Sequence, residues 1–208
     1  MFDIRRLAEC SQEIISAGQF LYGKGWSPAT SSNYSSRIDW EHVAITVSGK
    51  HKGELTPKDI MVVDLKGQPV ASEAKPSAET LLHTVIYEEK PEVGAVLHTH
   101  SVGATVVSRY YSDQDNLELQ DYELQKAFSG ITSHEGMINI PIYENTQDIA
   151  RLAEETRKLF LERPECPAYL IRGHGVYTWG QTMQECLRHI EAMEFLLSCE
   201  LEMLRIKR

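Results

Sequence analysis

Hydrophobic positions recur along this chain with two different periods. In residues 3–22 apolar side chains return every three or four positions, which predicts an amphipathic helix with Asp3 as its N-cap. Residues 43–47 alternate in character and residues 60–65 are mostly apolar, which predicts two strands. A Lys-Gly turn after the second of these predicts a hairpin that returns to Val70. The first third of the chain is therefore expected to place one helix beside a group of strands.

Beyond residue 75 the pattern alternates between helices and strands. Ser77 is the expected N-cap of a helix that runs to about Glu89, and Asn145 or Thr146 is the expected cap of a later one. The remaining predicted elements are a strand at 95–97, short helices over 101–107 and 122–128, a strand over 137–142, a strand pair over 169–179 and a final helix opened by a Thr182–Glu185 capping box. No repeat or linker interrupts the series. We therefore predict one α/β domain over residues 1–208, arranged as three α/β/α layers.

Composition and charge exclude several classes of function. The 208 residues are 42% hydrophobic and 25% charged, which is typical of a globular protein with a full core. A net charge of −9 argues against nucleic acid or an anionic membrane as a partner, but it is compatible with a small phosphorylated ligand. No apolar run is long enough to cross a bilayer, and the N-terminus lacks a signal-peptide core. The four cysteines form no Cys-x-x-Cys pair, so we expect reduced thiols in a cytoplasmic protein.

Two histidines stand at the end of the predicted strand that begins at Ala95. Because successive side chains of a strand point to opposite faces, His98 and His100 lie on one side and Thr99 on the other. Two imidazoles on one face supply half of a zinc site, which normally has three or four nitrogen, sulfur or oxygen ligands. This motif alone does not distinguish a metal site from an ordinary pair of strand residues.

A third histidine has a distinctive setting. His174 is bracketed by Gly173 and Gly175 after an apolar strand, where the backbone can approach another element closely. Three histidines with one exchangeable position are typical of a catalytic zinc. The remaining histidines have ordinary interpretations: solvated loop positions for His42 and His51, a helix position for His189, and an i,i+4 pair with Glu79 for His83.

Two carboxylates are candidates for the acid or base. Glu79 stands near a predicted helix start, where a negative charge is favourable for the helix dipole alone. Glu123 lies in a short polar helix and is equally compatible with a solvated face. Local pattern does not choose between them.

Three polar loops adjoin the predicted core strands and can provide an anion-binding site. They comprise residues 30–33, 48–50 and 75–77, and each offers hydroxyls, backbone N–H groups or a lysine. Each loop alone is an ordinary turn, so the prediction rests on their recurrence.

Together these motifs resemble the class II (zinc) aldolase superfamily, and the resemblance extends through nearly the whole chain. The histidine pair at a strand end, the later Gly-His-Gly and the three serine- or glycine-containing loops follow the order of that family. The segments Ile140–Thr146 and Arg172–Gly180, with Glu123 in its own short motif, resemble its dehydratase branch more specifically. The resemblance implies a three-layer domain with a mostly antiparallel central sheet flanked by helices.

The resemblance also implies a set of site residues. The metal ligands would be His98, His100 and His174, which would bind one Zn²⁺ per subunit. Glu123 corresponds to the acid/base of the dehydratases, whereas Glu79 corresponds to the catalytic glutamate of the aldolases. In those aldolases a serine pair precedes the glutamate, and this chain has Ser-Ala there, which places an aldolase role in doubt.

The implied substrate is a small phosphorylated ketose, whose carbonyl and hydroxyl the zinc would hold during dehydration. The implied phosphate contacts are Asn33, Ser48, Gly49 and Ser77, and further candidate substrate contacts are Ser32, Lys50, Lys75 and Glu79. Members of the superfamily form symmetric homo-oligomers, often tetramers.

Three other interpretations remain open at this point. A sugar-phosphate aldolase or 4-epimerase would use the same scaffold, and a zinc hydrolase or hydratase would use a similar histidine set. A zinc-stabilised interaction module without turnover would need the histidines but no acid or base.

Overall fold

The computed structural model describes residues 2–206 and contains eight strands. They are β1 (Asn33–Arg37), β2 (His42–Thr46), β3 (Ile60–Asp64), β4 (Ala95–Thr99), β5 (Asn116–Gln120), β6 (Met137–Tyr143), β7 (Ala168–Ile171) and β8 (Gly175–Gly180). One sheet contains them in the order β3-β2-β1-β4-β8-β7-β6-β5. Every neighbouring pair is antiparallel except β6 and β7, which are parallel. The expected mostly antiparallel sheet is confirmed.

Five helices cover the two faces of this sheet. They are α1 (Ile4–Gly23), α2 (Thr80–Glu89), α3 (Val102–Tyr110), α4 (Ile149–Glu162) and α5 (Met183–Ile206). Helices α1, α3 and α5 contribute buried side chains to one core, and α2 and α4 contribute to the core on the opposite face. The three-layer α/β/α prediction is therefore confirmed. No helix within residues 2–206 is long and apolar enough to cross a lipid bilayer.

Helix α2 begins two residues later than the sequence predicts. Ser77 does not cap it, because the Ser77 hydroxyl accepts hydrogen bonds from the Asn33 side-chain amide and from the Glu79 N–H, each at 3.3 Å. The helix starts at Thr80 instead. Ser77 is thus held beside β1, on the side of the molecule where the predicted site lies.

The capping of α4 also differs from the prediction. Asp148, rather than Asn145 or Thr146, accepts a hydrogen bond from the Arg151 N–H at 3.0 Å. The Thr146 hydroxyl instead accepts from the Asp148 N–H at 3.0 Å and so supports the cap from two residues earlier.

Two further predictions are confirmed only in part. In α5 the Thr182 hydroxyl accepts from the Glu185 N–H at 3.1 Å, but the Glu185 carboxylate accepts from the Gln181 N–H rather than from the Thr182 N–H. The hairpin after β3 does return to Val70, whose N–H donates to the Val62 carbonyl at 2.9 Å, but it is short and contains a single bridge, between Val63 and Pro69.

Candidate active site

The register of three adjacent strands places three polar side chains in one row across the sheet. His98 on β4 is the direct partner of Asn33 on β1 and of Tyr177 on β8. Directly paired residues of neighbouring strands project from the same face. The His98 ring stacks on the Tyr177 ring with a centroid distance of 4.0 Å and an angle of 14° between the planes.

One nitrogen of His98 is oriented by the backbone and the other has no hydrogen-bond partner. His98 Nδ1 lies 3.0 Å from the Val176 carbonyl oxygen, so it carries the proton and donates. His98 Nε2 is completely buried without a hydrogen-bond partner among the described residues. A buried polar atom without a partner costs free energy unless a ligand satisfies it. The unused lone pair at Nε2 therefore indicates a ligand position.

The turn between β7 and β8 brings His174 to the same place. Gly173 adopts a left-handed backbone with φ of 65°, which glycine tolerates best. A Cβ atom at Gly175 would lie 2.0 Å from the Thr99 carbonyl oxygen, so only glycine permits β8 to approach β4 this closely. The ring centroid of His174 lies 5.1 Å from that of His98 and 4.6 Å from that of His100.

These three imidazoles fit a zinc ion. One nitrogen from each of His98, His100 and His174 lies within 4.8 Å of the others. Burial lowers the pKa of His98 well below its ordinary value and lowers that of His100 to about 4, so both rings are neutral near pH 7. Neutral imidazole is the form that binds metal, and three of them with an open position are typical of catalytic zinc. The unpartnered Nε2 of His98 is a further feature that fits a zinc site.

Glu79 is the carboxylate that faces the histidine cluster. Its Oε1 lies 3.1 Å from His174 Nε2, and its Oε2 lies 3.5 Å from His98 Nε2. Oε2 also accepts hydrogen bonds from the Asn33 amide at 2.7 Å and from the Tyr177 hydroxyl at 3.1 Å. Burial opposes its ionisation, but hydrogen bonds from His174 and the Asn33 amide outweigh burial and hold the pKa of Glu79 below its usual range. Glu79 is therefore a firmly held anion.

His83 forms no pair with Glu79, contrary to one interpretation of the sequence. Its Nδ1 lies 2.7 Å from the Ser35 hydroxyl, and its Nε2 is hydrogen-bonded to the Asn33 side-chain oxygen. Burial lowers the pKa of His83 to about 3, so the ring is neutral and Nε2 donates to Asn33. His83 thus orients the amide that holds Glu79, a positioning role that local pattern did not indicate.

A cavity of about 210 Å³ opens beside the cluster. Its wall contains the predicted phosphate contacts Asn33, Ser48, Gly49 and Ser77, together with Ser32, Glu79, His100 and His174. The loops are joined where the Ser48 N–H donates to the Lys75 carbonyl at 3.3 Å and Val47 bridges to Pro76. The polar loops that the sequence suggested do converge on one side of the histidine cluster.

The two predicted lysine contacts are absent from this wall. Lys50 is exposed and pairs with Asp59 at 3.0 Å, and Lys75 is also exposed. Lys52, which the sequence interpretation overlooked, lines the cavity instead. It lies within an unremarkable polar segment, so only its packing identifies it.

Glu123 lies outside the cavity of its own chain. It begins a 3₁₀ helix (Glu123–Ala127), and its side chain is 70% exposed. The carboxylate pairs with Lys126 and lies 3.4 Å from His134 Nδ1. If Glu123 acts in catalysis, it must therefore reach the cavity of a neighbouring subunit or move.

Comparison with known proteins places this chain in a family. Residues 12–201 match the family described as Class II Aldolase and Adducin N-terminal domain. The methylthioribulose-1-phosphate dehydratase of Marinobacter nauticus is 65% identical over 208 residues, which cover 100% of both chains. That of Pseudomonas aeruginosa is 58% identical over 200 residues, covering 96% of this chain and 97% of the relative.

Solved structures share the fold at much lower identity. L-fuculose-1-phosphate aldolase from Thermus thermophilus superposes with a TM-score of 0.74 at 24% identity, covering 98% of this chain and 95% of the aldolase. A sugar-phosphate aldolase from Thermotoga maritima gives a TM-score of 0.69 at 19% identity and covers 97% of each chain. The class II aldolase fold is thereby established. The chain belongs to the Class II Aldolase and Adducin N-terminal domain family and, within it, to the group of methylthioribulose-1-phosphate dehydratases.

Proposed function

We propose that this chain is a hydro-lyase of methionine salvage. It dehydrates 5-methylthioribulose 1-phosphate to 5-methylthio-2,3-dioxopentyl phosphate and water. The observation that carries the proposal is the buried cluster of His98, His100 and His174, which adjoins a cavity lined by three hydroxyl-rich loops. The full-length similarity to dehydratases of this name supports the choice of reaction.

The histidine cluster would hold one Zn²⁺ per subunit. When bound there, zinc supplies a Lewis acid that polarises the C2 carbonyl of the ketose and so makes the C3 hydrogen more acidic. His98 is prepared for this role by its Nδ1–H···O=C bond to Val176, which leaves Nε2 as the ligand atom.

The reaction needs a base at C3 and an acid at the C4 hydroxyl. Removal of the C3 proton and departure of the C4 hydroxyl as water leave a C3–C4 enol, whose tautomerisation gives the 2,3-diketone. We assign both proton transfers to Glu123, which takes the C3 proton and returns it to the leaving hydroxyl. An exposed carboxylate can reach a cavity on another subunit, whereas the Glu79 carboxylate is held in place by hydrogen bonds from Asn33 and Tyr177.

Glu79 has a different role in this proposal. Its carboxylate accepts from Asn33 and Tyr177 and faces two of the imidazoles, which positions the metal ligands and offers an acceptor to a substrate hydroxyl. The competing assignment makes Glu79 the base, as the aldolase branch does. Its location in the cavity wall favours that alternative within a single chain.

The assignment of Glu123 requires a homo-oligomer, which we propose to be a tetramer. Helix α3 follows His100 directly and exposes the apolar side chains of Val102, Val106 and Tyr110, four residues apart on one face. Leu124, next to Glu123, is also exposed. Such a surface would be buried by a second copy of the chain, and that contact would bring Glu123 to a neighbouring cavity.

We further propose that the protein works in the cytoplasm, in line with its metabolic role. All four cysteines are free thiols, and those of Cys10, Cys166 and Cys186 are buried. A reducing compartment preserves thiols in this state.

The proposed function is tested by incubating the purified protein with methylthioribulose 1-phosphate and with other ketose 1-phosphates. The metal content of the same sample is measured alongside. We expect zinc near one equivalent per chain and formation of the 2,3-diketone from methylthioribulose 1-phosphate. Release of a triose phosphate without any diketone would instead identify an aldolase. Failure of phosphate compounds to compete for the site would favour a zinc hydrolase, and zinc binding without turnover of any ketose phosphate would favour an interaction module.

A further inference from the structure

Lys52 is a lysine that the fold buries without a neutralising carboxylate. Its residue surface is 1% exposed, and among residues 2–206 its ammonium forms no ion pair within 4 Å. Lysine is almost never fully buried unless it is paired. Burial alone lowers the pKa of Lys52, to about 8, so no nearby negative charge compensates the cost. The positive charge of Lys52 is therefore available to an anion that enters the cavity.

The ammonium of Lys52 joins two of the loops that line the cavity. Nζ donates to the carbonyl oxygen of Thr30 at 3.3 Å and to that of Lys50. Thr30 belongs to the loop that leads into β1, and Lys50 belongs to the loop that follows β2. An ammonium has three N–H donors, so one remains after these two bonds.

The position of Lys52 is set by close packing of its backbone. It begins the 3₁₀ helix Lys52–Glu54, which lies against α1. A Cβ atom at Gly18 would lie 2.4 Å from the Lys52 carbonyl oxygen, and one at Gly53 would lie 2.5 Å from the Tyr22 ring. The two glycines let this turn sit directly on the helix, so the lysine is a fixed rather than a mobile charge.

The cavity around Lys52 has the other features of an anion site. Among the described residues in its wall, Lys52 is the one lysine or arginine. Ser32 also lines the cavity and has a left-handed backbone with φ of 71°. Its hydroxyl oxygen is buried and has no hydrogen-bond partner among residues 2–206. A strained serine with an unpartnered hydroxyl and an unpaired ammonium in the same cavity wall together indicate a ligand that accepts hydrogen bonds.

We propose that Lys52 is the cation of the phosphate subsite. Its ammonium holds the 30–33 and 48–50 loops in place through the Thr30 and Lys50 carbonyls and directs its remaining N–H to the phosphate of the substrate. This inference rests on the proposed function only in naming the anion as a sugar phosphate. Lys52 thus takes the place of the exposed Lys50 and Lys75 as the source of positive charge at that end of the cavity.

Inorganic phosphate is the probe, because its binding does not depend on turnover. Calorimetry on zinc-loaded protein compares wild type with Lys52→Met, which keeps the length and apolar stem of the side chain. We expect phosphate affinity to fall roughly 100-fold, as for loss of one partner of a buried charge pair. With methylthioribulose 1-phosphate, KM should rise by a similar factor while kcat changes much less. Zinc content should stay at the wild-type value.

Lys50→Met is the matched control, since it removes a neighbouring positive charge that is exposed and paired with Asp59. We expect its phosphate affinity to stay within about twofold of wild type, as for loss of an exposed ion pair. Equal phosphate affinity in folded Lys52→Met and wild type would overturn the proposal, and so would an equal loss in Lys50→Met.

The inference can still be tested if Lys52→Met does not fold or if the protein does not turn over methylthioribulose 1-phosphate. If Lys52→Met does not fold, NMR of the wild-type protein with ¹³Cε-labelled lysine provides a second test. The Lys52 signal is identified as the one that is missing from the spectrum of Lys52→Arg. That signal should shift on addition of phosphate, and an unchanged signal at saturation would contradict the proposal. If methylthioribulose 1-phosphate is not turned over but phosphate affinity still depends on Lys52, the proposed function fails and this inference stands.

Discussion

The Asn33 side-chain amide donates a hydrogen bond to Glu79 Oε2 across 2.7 Å. This bond joins β1, the strand paired with His98, to the carboxylate that faces the histidine cluster. The oxygen of the same amide accepts from His83, so Asn33 transmits the position of a buried neutral histidine to Glu79.

Replacement of Asn33 by alanine should therefore affect both stability and activity. The change leaves the His83 Nε2–H buried without an acceptor, which costs about 1–3 kcal/mol of unfolding free energy. Glu79 loses one donor and becomes less firmly held, so kcat/KM should fall. Denaturant unfolding and steady-state kinetics measure the two effects. Asn33→Asp should be no more stable than Asn33→Ala, because it places a second carboxylate beside Glu79.

The assignment of Glu123 predicts an effect on rate without an effect on structure. Glu123→Gln should retain zinc, fold and oligomeric state but lose about 10²–10⁴-fold in kcat, the range for loss of a general acid or base. Glu118→Gln is a control, since Glu118 is another exposed glutamate, on β5. A Glu123→Gln protein with wild-type kcat, beside an inactive Glu79→Gln protein that still binds zinc, would transfer the acid/base role to Glu79.

Mixed oligomers test whether Glu123 acts across a subunit boundary. His98→Ala lacks a proposed metal ligand and Glu123→Gln lacks the proposed acid/base, so each oligomer should be inactive alone. In co-refolded equal mixtures, a site that takes its histidines from Glu123→Gln and its glutamate from His98→Ala contains both native residues. About a quarter of the sites should therefore regain activity if pairing is random. No recovery in such mixtures would show that the two residues belong to one chain.

Removal of the metal should abolish activity and lower stability together. A chelator withdraws the ion that the three imidazoles would share, and Zn²⁺ should restore both properties, because a ligand that binds only the folded state stabilises it. The melting temperature measures the loss of stability, and kcat measures the loss of activity. In His98→Ala the melting temperature should no longer respond to zinc. A chelated protein with full activity would argue against a metal role.

Glycine at position 175 should be required for the geometry of the site. A Cβ there would overlap the Thr99 carbonyl oxygen, and the same atom would lie 2.9 Å from the His98 ring. Gly175→Ala should therefore separate β4 from β8, destabilise the fold and weaken zinc binding. Gly136→Ala serves as the control, since a Cβ at Gly136 contacts nothing within 4 Å. Equal zinc affinity in the two variants would contradict the argument.

The burial of Glu194 should make the free energy of unfolding depend on pH. This buried residue of α5 accepts a hydrogen bond from the Thr99 hydroxyl at 2.6 Å, and burial raises its pKa to about 7. Because the folded state binds the proton more tightly than the unfolded state, the stabilisation is present below about pH 4.5 and is lost as pH rises through 7. The loss amounts to roughly 3 kcal/mol.

Glu194→Gln isolates this contribution, since the amide oxygen still accepts from Thr99 but cannot ionise. The difference in unfolding free energy between Glu194→Gln and wild type should grow in favour of the variant between pH 5 and pH 8. Taking the difference at each pH removes the contribution of the histidines, which titrate in both proteins. A difference that is constant over this range would show that Glu194 does not titrate there.

Much of the scaffold was predictable from local pattern. The period-2 alternation placed His98 and His100 on one face of a strand, and their rings do lie side by side with centroids 4.5 Å apart. The glycines around His174 indicated a close approach of backbones, which Gly175 makes against Thr99. These features depend on chain geometry over a few residues, which sequence spacing determines.

The tertiary structure decided the environment of each charged group. Asn33 and Glu79 are 46 residues apart, and Lys52 reaches the carbonyl of Thr30 22 residues away, so no local pattern links them. Burial also depends on what the rest of the chain packs against, which is why the exposed Lys50 and the buried Lys52 look alike in the sequence. Sequence alone thus indicated which histidines cluster. The folded chain decided which cation faces the cavity and placed Glu123 at the surface, because those contacts join segments that only the sheet brings together.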